Sequence, residues 1–194
     1  MKTQFIISIK IFAVLTVLCG VIYPLLITGI AQTVFPEKAN GSLITVNNKI
    51  IGSELIGQKF DSVSYFQSRP SAVDYNPLPS GGSNFGPTSE KLKEQTSERV
   101  KQWIKSNLGI SAEKIPAEML FASGSGLDPH ISPEAALLQV DRITKARTLS
   151  SEQKQQLVDL IGVVTEQPQF SFLGEARVNV LMLNLALDKQ FKNN

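Results

Sequence analysis

Twenty-one consecutive residues from Ile11 to Ala31 carry no charge and consist mainly of Ile, Leu, Val, Phe and Ala. At 1.5 Å of rise per residue, a helix of that length covers the roughly 30 Å hydrocarbon core of a bilayer, so the segment reads as a transmembrane helix. Pro24, Gly20 and Gly29 would weaken such a helix in water. In a membrane, neighbouring helices can satisfy the backbone groups that a proline frees, and a kink is expected near Tyr23-Pro24. The alternative is a cleavable signal peptide, since Gly29-Ile30-Ala31 places small residues at a cleavage-like spacing after a basic start. Against it, the apolar run outlasts the usual signal core of about 7–15 residues.

Lys2, Lys10 and the terminal amine precede the span, whereas Glu37 and Lys38 follow it and cancel. The positive-inside bias then gives a short cytoplasmic N-terminus over residues 1–10, a span over 11–31 and an extracytoplasmic domain over 36–194. Outside residues 1–35 the chain holds 17 basic and 17 acidic residues. A neutral domain with one Trp and no basic run lacks the electrostatic footprint of nucleic-acid binding. The sole cysteine, Cys19, lies within the span, which rules out an intrachain disulfide and a cysteine-rich zinc site.

Two apolar runs, Leu43 to Val46 and Ile50-Ile51, flank Asn47-Asn48, and asparagine tolerates the positive φ of a tight turn, which predicts a β-hairpin. From Tyr65 to Pro87, prolines 70, 77, 79 and 87 forbid a long helix. So long a loop is usually functional or disordered, and its interleaved Tyr65, Phe66, Tyr75 and Phe85 favour packing on a partner. A helix capped by Thr88 is expected to reach about Asn107, with Leu92, Thr96, Val100, Trp103 and Ile104 as its core stripe. A second should run from Pro133, capped by Ser132, to about Arg147. A third should start from the capping box Ser150 with Gln153 and end about Glu166, before Pro168. Val178 to Leu187 fits a strand or a helix capped by Asn179, and periodicity leaves both open, with helix preferred. The fold class expected is α+β: a single N-terminal transmembrane helix followed by one extracytoplasmic mixed domain.

The chain offers little chemistry. No Gly-Lys pair exists from which to build a P-loop, and the residues around Ser125 fail the Gly-x-Ser-x-Gly pattern of a hydrolase elbow. His130, the only histidine, could serve Ser123 or Ser125 as a base with Asp128 as orienter. The same stretch reads more simply as turns and a helix start. Asp61, Asp74 and Asp128 follow no calcium-loop spacing and read as solvated surface acids. No catalytic residue and no metal site are expected.

Several blocks are distinctive together: Gly52 to Gln58, Tyr65-Phe66, Arg69 to Ala72, Tyr75-Asn76, Ser80 to Asn84, Gly86-Pro87, Ala122 to Pro133, Val178 to Leu181 and Leu183-Asn184. In order and spacing they resemble the C subunit family of the Kdp potassium-transporting P-type ATPases, over nearly the whole chain. The resemblance implies a single-pass subunit of a bacterial plasma-membrane potassium uptake complex. Its partners would be a channel-like A subunit, an ATP-hydrolysing P-type B subunit, a small F subunit and the lipid bilayer. The only Asp-Lys pair, Asp188-Lys189, continues as Gln190-Phe191, so this chain lacks the Asp-Lys-Thr-Gly-Thr segment phosphorylated in such pumps. The resemblance further implies a catalytic chaperone that raises ATP affinity in the B subunit. Its ATP candidates here would be Ser80, Gly81, Gly82 and Ser83, which lack the flanking Leu and Gln of the transporter signature they echo. No firmly bound cofactor is expected. Candidate partner contacts are Tyr23, Pro24, Tyr65, Phe66, Arg69, Tyr75 and Phe85. Two other classes remain in view, a membrane-tethered extracytoplasmic ligand-binding module and a tethered serine hydrolase using Ser125 and His130.

Overall fold

The computed structural model describes residues 2–107 and 109–191, and the chain divides into two compact units, Met1–Ser53 and Glu54–Asn194. The first unit is dominated by one continuous apolar helix, Lys2–Val34, with none of its most hydrophobic stretch buried. Its parts are α1 (Lys2–Val17), a π-helical turn (Leu18–Ile22) and α2 (Tyr23–Val34). The distortion expected at Tyr23-Pro24 takes the form of that π turn. Proline has no N–H to give and its ring crowds the carbonyl four residues earlier; here the preceding turn widens, and Tyr23 N–H donates to the Leu18 carbonyl five residues back.

A short helix, α3 (Pro36–Ala39), leads to the antiparallel hairpin of β1 (Leu43–Val46) and β2 (Lys49–Ser53). Asn47 and Asn48 both have positive φ, 50° and 60°, as a two-residue turn matched to strand twist requires. The hairpin belongs to the first unit, where Ser53 Oγ donates to the Gly41 carbonyl at 2.6 Å.

The second unit is built on a small antiparallel sheet in the order β3 (His130–Ile131), β5 (Arg177–Asn179), β4 (Thr165–Glu166). Val178 in the central strand pairs with Ile131 on one side and Thr165 on the other. Four helices complete the core: α5 (Pro133–Leu137), α6 (Val140–Ala146), α7 (Ser151–Val164) and α8 (Val180–Gln190). Their apolar faces enclose Ile131, Ile143, Leu157, Ile161, Leu183 and Leu187. α4 (Glu90–Ser106) buries only Trp103 fully, and Leu92, Thr96 and Val100 are half-covered.

Several expectations shift by small amounts. The cap of α4 is Ser89, one residue after Thr88, and Ile104 of its stripe is exposed. The helix expected from Pro133 to Arg147 is two helices. The chain relaxes at Leu138-Gln139, where the buried Gln139 side chain is turned to bonds outside its own helix. The third helix has the full capping box, with Ser150 N donating to Gln153 Oε1 and Gln153 N to Ser150 Oγ. It stops at Val164 because Thr165-Glu166 are drawn into the sheet. The C-terminal segment is a helix after a three-residue strand, and Asn179 caps it by accepting from Met182 N at 3.1 Å.

Asn179 is 3% exposed and also donates to the Glu54 carbonyl at 2.7 Å, so it ends the central strand, starts α8 and ties down the beginning of the unit. Asn179→Ala should lower stability by about 2 kcal/mol, the sum of a lost cap and a stranded carbonyl. Urea unfolding of the detergent-solubilised chain checks this: the midpoint should fall with little change of slope.

Candidate functional site

Between Glu54 and Ser89 the described residues form no helix or strand, yet the segment is held fast. Buried backbone must find hydrogen-bond partners, and here side chains from the helices supply them. Asn184 of α8 accepts from Phe66 N at 2.8 Å and donates to Phe66 O at 2.9 Å, imitating a neighbouring strand. Gln139 does the same for Gln67, at 2.8 and 3.2 Å. Both amides are buried, and Phe66 between them is 0% exposed.

Arg142 completes the clamp. Its guanidinium donates to the carbonyls of Val63 and Tyr65, to Asn107 Oδ1 and to Gln139 Oε1. It is 7% exposed, and none of these partners is a carboxylate. Burial pushes its guanidinium down to about 10, so it stays charged at neutral pH and the acceptors it faces are dipoles. One turn on, Arg147 donates to Ser64 O and Phe191 O and pairs with Asp188 at 2.6 Å. Its guanidinium lies 4.8 Å from the centre of the Tyr65 ring, a distance suited to cation–π attraction, and the Tyr65 hydroxyl donates to Asp188 at 2.8 Å.

The later part of the loop is laced to the Ser-Gly-Ser-Gly turn. Ser123 N donates to Pro70 O, Gly81 N to Ser125 O and Gly57 N to Leu127 O. Two glycines are dictated by this closeness. A Cβ at Gly57 would stand 2.4 Å from the Asp128 carbonyl oxygen, and one at Gly126, where φ is +71°, would stand 2.6 Å from Val73. Arg69 pairs with Asp128 at 2.8 Å, and its own carbonyl accepts from the Tyr75 hydroxyl. Burial drives the Tyr75 phenol up to about 12.

These facts place every candidate. Phe66 is core. Tyr65, Arg69 and Tyr75 are half-buried, with the two hydroxyls and Arg69 Nη1 bonded inside the fold, Phe85 is half-buried, and Tyr23 and Pro24 lie on the exposed span. Within the Ser80 to Ser83 segment, the Gly81 N–H is taken by Ser125. In the stretch weighed as a hydrolase, His130 Nδ1 is 3.8 Å from Asp128, whose carboxylate is engaged by Arg69 and by the backbone of His130. Among the described residues no hydrogen bond joins the ring to either serine. Burial, reinforced by Arg177, holds the imidazole below its ordinary pKa. Among the described residues, no group of three or more His, Cys, Asp and Glu is placed to hold a metal ion.

Two features escaped sequence reasoning. The anchors Gln139, Arg142, Arg147 and Asn184 were legible only as polar interruptions of apolar helical faces. An aromatic tip also escaped it: after Pro168, Gln169 and Leu173 exchange backbone bonds at 2.9 Å and thrust out Phe170 and Phe172, 80% and 75% exposed. The signal was a Phe-Ser-Phe run set between a proline and a glycine. The tip stands beside a cavity of about 650 Å³ with Glu118, Asp128, His130, Glu166, Glu175 and Arg177 in its lining.

An apolar N-terminal helix long enough to span a bilayer, followed by a small α+β unit whose irregular loop is pinned by buried polar side chains, is the make-up of a membrane-associated chain. The family described as K+-transporting ATPase, c chain (KdpC), matches residues 5–189. The potassium-transporting ATPase KdpC subunit of Geotalea uraniireducens is 50% identical over 186 residues, covering 94% of this chain and 95% of its own. That of Caldanaerobacter subterraneus is 46% identical over 185 residues, covering 95% and 94%. That of Bacillus cereus strain ATCC 14579 is 44% identical over 194 residues, covering 98% and 99%. The chain belongs to the KdpC family, and is an accessory subunit rather than an ATPase in its own right.

Arg142→Met should cost about 3 kcal/mol or more, because several buried acceptors lose their donor at once. Arg142→Lys should recover only part, since an ammonium cannot reproduce the planar fork. Thermal unfolding reads the loss, and limited proteolysis should newly cut between residues 54 and 89. The Tyr75 phenol favours the folded state below pH 10, and that contribution is lost as pH rises from 10 through 12. An ultraviolet titration should show a late phenolate step near pH 12, absent from Tyr75→Phe, whose alkaline unfolding should be less steep.

Proposed function

We propose that this chain assembles a high-affinity potassium uptake complex and couples to its catalytic subunit. The span packs on helices of the channel-like A subunit, with the N-terminus cytoplasmic. The domain from residue 36 onward lies extracytoplasmic over the potassium entrance and supports the P-type B subunit, with the small F subunit in the same assembly. The observation that carries this reading is the family match over residues 5–189. The charge bias around the span supports the orientation.

Burial supports a narrower set of contact residues. Phe66 is wholly buried, and Tyr65, Arg69 and Tyr75 fix the loop from within, so their part is to shape the surface that others present. The outward contacts are the half-buried Phe85 together with Leu78, at 82% exposure, and the Phe170/Phe172 tip; exposed apolar groups such as the last three mark association sites. The catalytic-chaperone role implied by the resemblance then works through subunit contact. Direct ATP binding at Ser80, Gly81, Gly82 and Ser83 is the weaker form of it, because the Gly81 N–H that would face a phosphate is already bonded.

A C-terminally tagged chain, purified in mild detergent from potassium-starved cells, should bring down a P-type ATPase subunit and a multi-span subunit; recovery of the chain alone would sink the reading. Within the recovered complex, Phe170→Ser with Phe172→Ser should weaken co-purification or raise the KM for ATP about tenfold, as loss of an aromatic anchor does. The folded domain should survive, because both rings already face solvent.

A further inference from the structure

The π turn and the proline after it leave the Cys19 carbonyl without a donor of either helical pattern. In a regular helix the Cys19 carbonyl would accept from Tyr23 N–H, four residues on, but that N–H goes to Leu18 O. The π-type donor, five residues on, would be Pro24, which has no N–H. Neither the α pattern nor the π pattern therefore supplies a donor. Side-chain hydroxyls do not replace it among the described residues: Thr28 donates to Pro24 O, Thr33 to Gly29 O and Ile30 O, and Ser8 to Gln4 O.

The turn falls at the middle of the uncharged run from Ile11 to Ala31, where lipid tails offer no donor and water is scarce. An unpaired carbonyl in hydrocarbon costs several kcal/mol. Among the described residues, a Cβ built at the adjacent Gly20 would meet nothing within 4 Å, and a glycine allows another helix to come close. π turns within helices concentrate at functional sites.

We infer that the Cys19 carbonyl is an acceptor reserved for a hydroxyl or amide side chain on a transmembrane helix of a partner subunit, seated against Gly20. This rests on the reading that the span packs on partner helices and names the polar contact that fixes its depth and rotation.

Because Cys19 is the only cysteine, feeding 1-¹³C-cysteine labels a single carbonyl in this chain. The labelled chain is assembled with unlabelled partner subunits, and its infrared band is compared with that of the chain alone in detergent. The band should move to lower wavenumber on assembly. A band unchanged on assembly, including one already low in the isolated chain because water is the donor, overturns the inference. Pro24→Ala restores the missing N–H and lets the helix satisfy itself, so co-purification of partners should fall roughly three- to thirty-fold, the range of one such bond in a membrane. Gly20→Leu should do the same by bulk alone, and Gly29→Leu, equally free of contacts within the chain, should not. Full recovery with Pro24→Ala overturns the inference while leaving the subunit reading intact. Failure of the unaltered chain to recover any partner overturns both.

Discussion

The Glu54 to Ser89 segment depends on one interaction above the others, the buried guanidinium of Arg142 holding the carbonyls of Val63 and Tyr65. A chain of this length without strand or helix has no ladder of its own, so each buried amide must be paired individually or pay for the loss of water. Arg142, Gln139 and Asn184 supply a ladder made of side chains. Gln139 and Arg142 also bind each other at 2.6 Å, so the polar network is joined rather than scattered, and a fully joined network is the form in which buried polar groups rigidify a fold. The relaxed link between α5 and α6 follows from it, since Gln139 sits at that break with its amide on Gln67.

This dependence explains what could be read in the sequence and what could not. The long apolar helix, the Asn47-Asn48 turn, the Ser150 capping box and the Asn179 cap are local: a few neighbouring residues contain the whole physical cause, and each element forms where the sequence puts it. The break at Leu138-Gln139 and the shortening of α7 at Val164 have distant causes, a loop some 70 residues away and a strand some 12 residues on, and periodicity carries no trace of either. The loop was legible as a long irregular segment. Its aromatics read alike in composition, which does not reveal which face of a loop is pinned: Phe66 is wholly buried, whereas Tyr65, Tyr75 and Phe85 are half-buried. Asn184 could have given warning: an asparagine within the apolar run from Val178 to Leu187 is costly unless it is bonded, and its bond is to Phe66.

The Ser123 to Pro133 block shows how distinctive residues can be structural. Ser, His and Asp close together suggest a triad, but among the described residues no hydrogen bond joins the His130 ring to either serine, and Asp128 is engaged by Arg69 and the His130 backbone. Ser123 is buried with its N–H on Pro70 O, Asp128 holds Arg69, and Gly126 makes room for Val73. The block and the loop, far apart along the chain, are two halves of one backbone-laced body.

A rigid loop suits an accessory subunit for a thermodynamic reason. A disordered segment that folds on its partner must recover its ordering entropy from the interface, whereas a segment already fixed by Arg142, Arg147 and Asn184 has met that cost within its own chain. The exposed apolar groups left over, Leu78 and the Phe170/Phe172 tip, then project from fixed positions. In the arrangement we infer, the span follows the same logic at smaller scale: Pro24 and the π turn leave the Cys19 carbonyl without a helical donor, so a mainly apolar helix acquires a point at which rotation and register matter.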